Sequence, residues 1–411
     1  MNLNKNELDE MVKILTRQNT FEYPLTALKN QGYLETLEQR LEEYAKRLEE
    51  LIASPILQNN IIDIDILEMR TLNNNLLEII KTYLSGKTED AYRYFGTLLN
   101  NQRSHLEALI EERNEEEEYL YRVRVSEAKS RRDIFHIPFN KRHLVSTMRY
   151  SIAGVPCLYF GNTIYACWLE MGKPDLNKLS ISKFKNALPV KILNFAITFK
   201  TLTGIPTFIP NGYRPYTKEK IEHFLKIYPL VLACSFMKKE ESANFHMEYI
   251  IPNMLLQWIS SEKTHVDGIK YFSTKMKHES YDSIGINIVF PPKENKDSIK
   301  DEFCPKLQRT FKFTAPISWH MINTFPLKDV NTYTPTVVDS HEKIIQSSDE
   351  VMGSHYRMTK FYQIEENIDD YFEFLFLDDE TRPKRNTVDD FIDTESFDNN
   401  VLKNATNVKS I

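Results

Sequence analysis

The 411-residue chain is poor in cysteine, with 4, and in glycine, with 11, and it holds no apolar run approaching the roughly 20 residues that span a bilayer. Cys157, Cys167, Cys234 and Cys304 form no CxxC pair and have no histidine at zinc-like spacing. Neither a metal site nor a disulfide framework is therefore expected, and the four read as reduced structural thiols. The amino-terminal MNLNKNELDE is polar and acidic and lacks the charged-then-apolar pattern of a secretory signal, so a cytosolic protein with no membrane partner is expected. Positive charge is not in excess either. With 52 Lys and Arg against 58 Asp and Glu, the net charge of -6 provides no basic field for nucleic acid. No internal repeat is present.

What the chain does have is core-forming material: 41% hydrophobic residues, with 21 Tyr and 24 Phe. That composition reads as a soluble folded protein, and the length favours two domains or one large domain with appended segments. From Tyr33 to Ile52 the residues Leu34, Leu37, Leu41, Tyr44, Leu48 and Leu51 recur every three or four positions, which predicts an amphipathic helix. Asn75–Leu84 and Thr88–Glu118 read the same way, the second starting at a Thr88 cap and burying Leu98, Leu99, Leu106, Leu109 and Ile110. Residues 1–117 are thus expected to form a helical bundle, with Glu115–Glu118 a solvated helix end or linker.

The pattern then changes. Leu120–Val125, Leu158–Phe160, Pro189–Thr198, Gly268–Thr274 and Ile286–Phe290 are short, rich in Val, Ile, Tyr and Phe, and bounded by turn residues, which predicts strands. Ile164–Met171 and Glu248–Ser260 read as helices among them. The fold class that follows is α+β, an α-helical bundle followed by a mixed-sheet domain over 118–330. Residues 331–411 are expected to be a polar extension, acidic and Asn-rich from Asp378 and disordered at its end.

The stretch Met148-Arg149-Tyr150-Ser151-Ile152-Ala153-Gly154-Val155-Pro156-Cys157-Leu158-Tyr159 leads into a helix ending Trp168-Leu169-Glu170, and Asp267-Gly268-Ile269-Lys270-Tyr271-Phe272-Ser273 follows much later. A basic residue, a Gly-Pro turn, a strand and a short helix bring an Arg and a Glu towards the same end. Together these residues resemble the RES-domain family, whose name records an Arg, a Glu and a Ser in this order. Arg149 matches the family's Arg, Tyr159 its strand Tyr, Glu170 its helical Glu and Ser273 its strand Ser, over about residues 119–316. Where the family usually has Gly-Arg-Trp-Asn and Tyr-Pro-Ser, this chain has Met148-Arg149-Tyr150-Ser151 and Tyr271-Phe272-Ser273.

The resemblance implies an ADP-ribosyltransferase-like fold and a toxin that cleaves the nicotinamide glycosidic bond of NAD by hydrolysis or phosphorolysis, with NAD as substrate and no cofactor. It implies Glu170 as the stabiliser of an oxocarbenium-like ribose, which suits a carboxylate. Arg149 is expected to anchor the pyrophosphate with Arg122 beside it, because a planar guanidinium pairs bidentately with phosphate oxygens. Tyr159 and Tyr150 are expected against a substrate ring. Ser273 is expected to orient Glu170 or substrate, since no His accompanies it as in a catalytic triad. Taken singly, each of these residues also has a structural reading, and His136, His143 and His246 read as structural.

The amino-terminal helices resemble the HEPN-like extension of some RES proteins. Arg103-Ser104-His105 is too tight for the HEPN nuclease spacing and Arg93 is too far, so a regulatory or oligomerising role is expected. A regulatory protein or antitoxin and a homo-oligomer are the other partners expected, and the 171–267 insertion is expected to be a lid or partner site. Transfer of ADP-ribose to a protein and an inactive RES-like scaffold are the rival readings.

Overall fold

The computed structural model describes residues 3–57, 63–114, 119–125, 127–203, 216–261, 264–276, 284–293, 302–322, 356–357 and 359–379. The Glu115–Glu118 run and the acidic tail after residue 379 lie outside them.

The chain opens with α1 (Lys5–Thr16), which starts at a reciprocal cap: the Glu7 amide donates to the Asn4 side chain at 3.1 Å and the Asn4 amide donates to the Glu7 carboxylate at 2.7 Å. Then come α2 (Tyr33–Ala53) and α3 (Ile66–Leu84), followed by α4 (Thr88–Asn101) and α5 (Arg103–Glu107). The helix expected over Thr88–Glu118 stops early. Lys87, not Thr88, occupies its cap position, and Ile110–Arg113 is extended as β1. Leu106 and Leu109 are buried as expected, but a turn after α5 carries the chain into the sheet.

The helices do not pack on one another alone. Their apolar face meets α8 (Lys218–Ala233) and α9 (Ile250–Ile259), two helices from the long stretch after Glu170. Tyr44 Oη donates to the carbonyl of Leu225 at 2.7 Å, and Tyr33 Oη to that of Ala233 at 3.0 Å. One cluster of buried side chains runs from Leu3 through Leu41, Tyr44 and Leu225 to Ile269 and Val289. The stretch expected as a lid or partner site thus contributes core helices.

The α+β class holds. The remaining strands are β2 (Leu120–Val125), β3 (Leu158–Gly161), β4 (Leu179–Asn186), β5 (Val190–Asn194), β6 (Gly268–Phe272), β7 (Ile286–Phe290), β8 (Phe311–Phe313) and β9 (Ile317–Ser318), with short helices α6 (Arg131–Ile134), α7 (Ile164–Glu170), α10 (Pro305–Thr310) and α11 (Trp319–Ile322) between them. Among the described residues they form one mixed sheet ordered β1-β5-β6-β7-β3-β2-β4-β8, with β9 also on β4. The β5–β6 pair is parallel and the others are antiparallel. A parallel pair needs a crossover, and α8 and α9 supply it.

Strand alternation gives the sheet two faces. Leu120 of β2 and Phe184 of β4 join the cluster shared with the amino-terminal helices, whereas Tyr121, Val123, Leu179 and Ile181 face a second cluster. That second cluster is closed by α7 and by α12 (Lys360–Tyr371), whose Phe361, Ile364 and Ile368 are buried. Part of the extension expected to be merely polar is therefore a packed helix. Lys183, buried on β4, donates to the Glu365 carbonyl and to Asp369 of α12, both at 2.7 Å. No helix among the described residues is long and apolar enough to cross a membrane.

Candidate functional site

Helix α7 begins at Thr163, whose hydroxyl accepts from the Ala166 amide at 3.0 Å, and ends at Glu170. It lies close against β3 because Gly161 has no side chain: a Cβ there would fall 2.8 Å from Cys167 Sγ and 2.9 Å from the Thr163 carbonyl. The Glu170 carboxylate is thereby brought over the ends of β6 and β7. Ser273 Oγ donates to Glu170 Oε1 at 2.6 Å, and Asn287 Nδ2 donates to the same oxygen at 2.6 Å. Both bonds fall on Oε1, so Oε2 is the oxygen left for a ligand. The Lys275 amide donates in turn to Ser273 Oγ at 3.1 Å, which orients the hydroxyl proton towards Glu170.

Glu170 and Asn287 line a cleft of about 480 Å³, within the usual range for small-molecule sites. Tyr159, Tyr271, Arg122 and Arg124 share its wall. Tyr271 is packed at 4.4 Å from the Tyr150 ring, and burial holds its hydroxyl far above the usual phenol range, opposed by Arg149 and reinforced by Glu170. Tyr249 is pushed up by burial in the same way, with Arg149 pulling it down and Glu170 pushing it up. Arg149 bonds Thr274 and Glu170 bonds Ser273, so the sequence-predicted Arg and Glu meet neighbouring residues of one turn.

They do not converge on one surface. Arg149 is 8% exposed and is absent from the cleft wall. Its Nη2 donates to the Phe236 carbonyl at 2.6 Å and to Thr274 Oγ1 at 3.0 Å, while its buried Nε has no acceptor among the described residues. Arg149 thus braces the turn that follows Ser273. Ser273, fully buried, sits behind Glu170. Arg122 reaches the cleft, but its donors go to the carbonyls of Ile134 at 2.6 Å, Tyr159 at 2.7 Å and Phe135 at 3.5 Å, and burial pushes its pKa down to about 9.

Tyr150 is 1% exposed and adopts a left-handed backbone, φ 56°, rare for an aromatic residue. Its ring lies in the core beneath Tyr271 rather than on the cleft wall, and its carbonyl accepts from Tyr159 Oη at 3.1 Å. Such backbone costs on the order of 1–3 kcal/mol, and strained residues of this kind concentrate at functional sites.

Sequence reasoning missed Asn287 and Arg124. Asn287 lies in a strand that was expected, and its alternation with Ile286 and Ile288 places its side chain on the opposite face of the sheet from theirs, the face that meets Glu170. Arg124 Nη2 donates to the Phe135 carbonyl at 2.8 Å, and its buried Nε has no acceptor among the described residues. It is the cleft-wall guanidinium with a spare donor. His136 is held neutral: its Nε2 accepts from the Cys304 amide at 2.9 Å, its Nδ1 is 2.8 Å from the Ile137 carbonyl, and burial pushes its pKa down to about 4. Cys157 and Cys167 line the cleft as thiols raised to about 12 by burial, hence poor nucleophiles. Among the described residues no group of three or more His, Cys, Asp or Glu side chains comes together to hold a metal ion.

No protein-family model matches the chain, and no solved structure matches it. Over 273 residues it is 32% identical to a protein of Bacillus subtilis (strain 168) described as "Putative toxin YopC", an alignment that takes in 62% of this chain and 59% of that protein's length.

Proposed function

We propose that the chain is a toxin that cleaves the nicotinamide glycosidic bond of NAD at Glu170, in the manner the RES resemblance implies. The similarity to a protein described as a toxin supports the coarser half of this reading. The observation that carries the finer half is the Glu170 carboxylate, fixed through Oε1 by Ser273 and Asn287 and presenting Oε2 to a cleft walled by tyrosines and arginines. Departure of nicotinamide leaves positive charge on the ribose ring, and a carboxylate already oriented stabilises that charge without reorganising. Tyr159 and Tyr271 offer aromatic surface for a ring, and Arg124 replaces Arg149 as the phosphate partner because it borders the cleft and, among the described residues, commits only Nη2 to a carbonyl. Arg149 acts one step back, by holding the turn that holds Ser273. Water or phosphate then takes the ribose carbon.

Transfer of ADP-ribose to a protein is the second reading. It is favoured by exposed apolar side chains at the cleft mouth, where Val125 ends β2, Met148 lies in the loop before Arg149 and Met171 caps α7. The same rim suits a restraining protein partner.

The test is NAD loss and nicotinamide release by the purified chain, with and without phosphate and with and without an added acceptor protein. Wild-type loss that disappears in Glu170→Gln while the fold is retained supports the reading, and a sugar phosphate product selects phosphorolysis. Label retained on acceptor selects transfer. Equal loss in wild type and Glu170→Gln, or none in any condition, overturns it.

A further inference from the structure

A second cavity, of about 430 Å³, lies on the far side of the turn that supports Glu170. One wall comes from the segment after α1, including Glu22, Tyr23 and Pro24, and from Arg40 of α2; the other comes from Met237 and Thr274–Met276. The amino-terminal segment is pinned there by backbone, since the Leu25 amide donates to the Ser235 carbonyl at 3.3 Å and the Met237 amide donates to the Leu25 carbonyl at 2.7 Å. Tyr23 packs on Phe272 at 5.4 Å. The cavity is therefore built jointly by the amino-terminal helices and by the strand end that carries Ser273.

Its charge is unbalanced. Arg40 is half-buried, its Nε is shielded from water with no acceptor among the described residues, and burial lowers its pKa. Lys275 pairs with Glu241 at 2.6 Å, but Lys238 takes the same carboxylate at 2.6 Å, so two ammonium groups share one acid. Glu22 is the one acid among the lining residues. A half-buried guanidinium whose Nη groups have no acceptor among the described residues, beside an ammonium with half a counter-ion, suits an anion met by those Nη groups, because charge-assisted bonds in a partly desolvated site are the strong ones. Glu22 suits a hydroxyl donor on the same ligand.

The geometry points to this cavity as an effector site for a small phosphorylated, hydroxyl-bearing metabolite, its phosphate between Arg40 and Lys275, whose occupancy is felt at Glu170. The route is short. Thr274 Oγ1 accepts from Arg149 at 3.0 Å, and the Lys275 amide donates to Ser273 Oγ at 3.1 Å, which donates to Glu170 at 2.6 Å. A ligand that steadies Thr274 and Lys275 steadies both ends of the proposed catalytic arrangement, and the coupling acts equally in reverse. The binding site stands on its own geometry; its effect on turnover rests on the function proposed above.

The test uses ribose 5-phosphate and inorganic phosphate as probes on the full chain. Binding is followed by calorimetry, and the 273–276 turn by hydrogen exchange. Wild type is expected to bind ribose 5-phosphate more tightly than phosphate, with at least a tenfold loss of affinity in Arg40→Gln and in Lys275→Gln and no change in Arg124→Gln. Bound probe is expected to slow exchange in the turn at least threefold. Two independent substitutions keep the test open should one fail to fold. Absence of binding in wild type, affinity that survives both substitutions, or loss in Arg124→Gln instead, which would move the anion to the Glu170 cleft, overturns the site. Binding with unchanged exchange at 273–276 overturns the coupling. None of these readouts needs NAD cleavage, so failure of the effector site and failure of the proposed reaction are told apart.

Discussion

Two carboxylates stand at the two ends of α7 and are treated in opposite ways. Glu170, at the carboxyl end, borders the cleft and receives two side-chain donors on one oxygen. Glu365 of α12 meets the amino end, fully enclosed, and its Oε1 accepts from the Ile164 amide and from Tyr356 Oη, both at 2.5 Å. Burial pushes the Glu365 pKa up to about 8, against the donors that favour its ionised form. The first carboxylate is oriented but left partly free; the second is used up in closing a helix end. The difference separates a group placed to meet a ligand from a group placed to join two elements, although both acids sit at the ends of the same short helix, Glu170 as its last residue and Glu365 reaching it from α12.

The sharpest way to break this comparison is to neutralise each acid without changing its shape. Glu170→Gln keeps an acceptor for Ser273 but removes the charge, and a fall of at least about 10³-fold in the proposed NAD cleavage is expected, since removing a preorganised electrostatic partner costs on that order. Melting temperature and circular dichroism should stay at wild-type values. A variant that retained activity would place the chemistry elsewhere in the cleft. Removing one of the two donors tests the orientation itself. Asn287→Ala and Ser273→Ala are each expected to lower kcat by about 10- to 100-fold with little change in KM, because either donor alone still holds Oε1. A KM effect with unchanged kcat would make Asn287 a binding residue only.

Much of this arrangement was legible from spacing. Leu120–Val125 and Ile286–Phe290 are strands at the expected bounds, α2 follows its apolar periodicity, and α7 is a short helix whose residues before Glu170 are buried all round. Glu170 and Ser273 meet as their order suggested. What could not be read was depth. Arg149, Tyr150 and Arg122 are polar or amphipathic residues in a plausible order, yet the first two are buried and the third is spent on carbonyls, which depends on loops packed across them from distant positions such as Ile134 and Phe236. Ile110–Arg113 was read as helix because an apolar residue continues the helical period there, and only pairing with Val190–Leu193 makes it a strand. The helix over 360–371 was hidden by its acids: Phe361, Ile364 and Ile368 supply one apolar stripe, and Glu365, which looks like surface, is the buried contact.

Glu365 supplies the stability side of the comparison. Glu365→Ala removes the acceptor of both the Ile164 amide and the Tyr356 hydroxyl, and an unsatisfied buried donor costs about 1–3 kcal/mol. Denaturant unfolding should shift by an amount of that order, with α12 losing protection from hydrogen exchange first. A wild-type unfolding curve would mean that α12 docks without this contact. Lys183→Met, which removes the ammonium held by the Glu365 carbonyl and Asp369, is expected to loosen α12 as well, because two acceptors lose their buried donor.

The smallest expected effect is the pH dependence of that docking, and its sign is opposite to that of an ordinary salt-bridged acid. The Glu365 carboxyl titrates near 4.5 when free and near 8 in the folded chain, so the folded state binds the proton more tightly. Its contribution is fully present below about 4.5 and is lost as the pH rises through about 8. Exchange protection over 360–371, corrected for the intrinsic pH dependence of exchange, is therefore expected to be several-fold weaker at pH 9 than at pH 6. Glu365→Gln fixes the neutral form and should flatten the profile while keeping protection at the wild-type level below about pH 4.5. His136, pushed down to about 4, contributes in the other direction, since a neutral histidine stabilises above its free value and loses that contribution as the pH falls. The two profiles separate by position as well as by sign, because His136 bonds the Cys304 amide and not α12. A Glu365→Gln profile that still bends between pH 6 and 9 would assign the titration to another group.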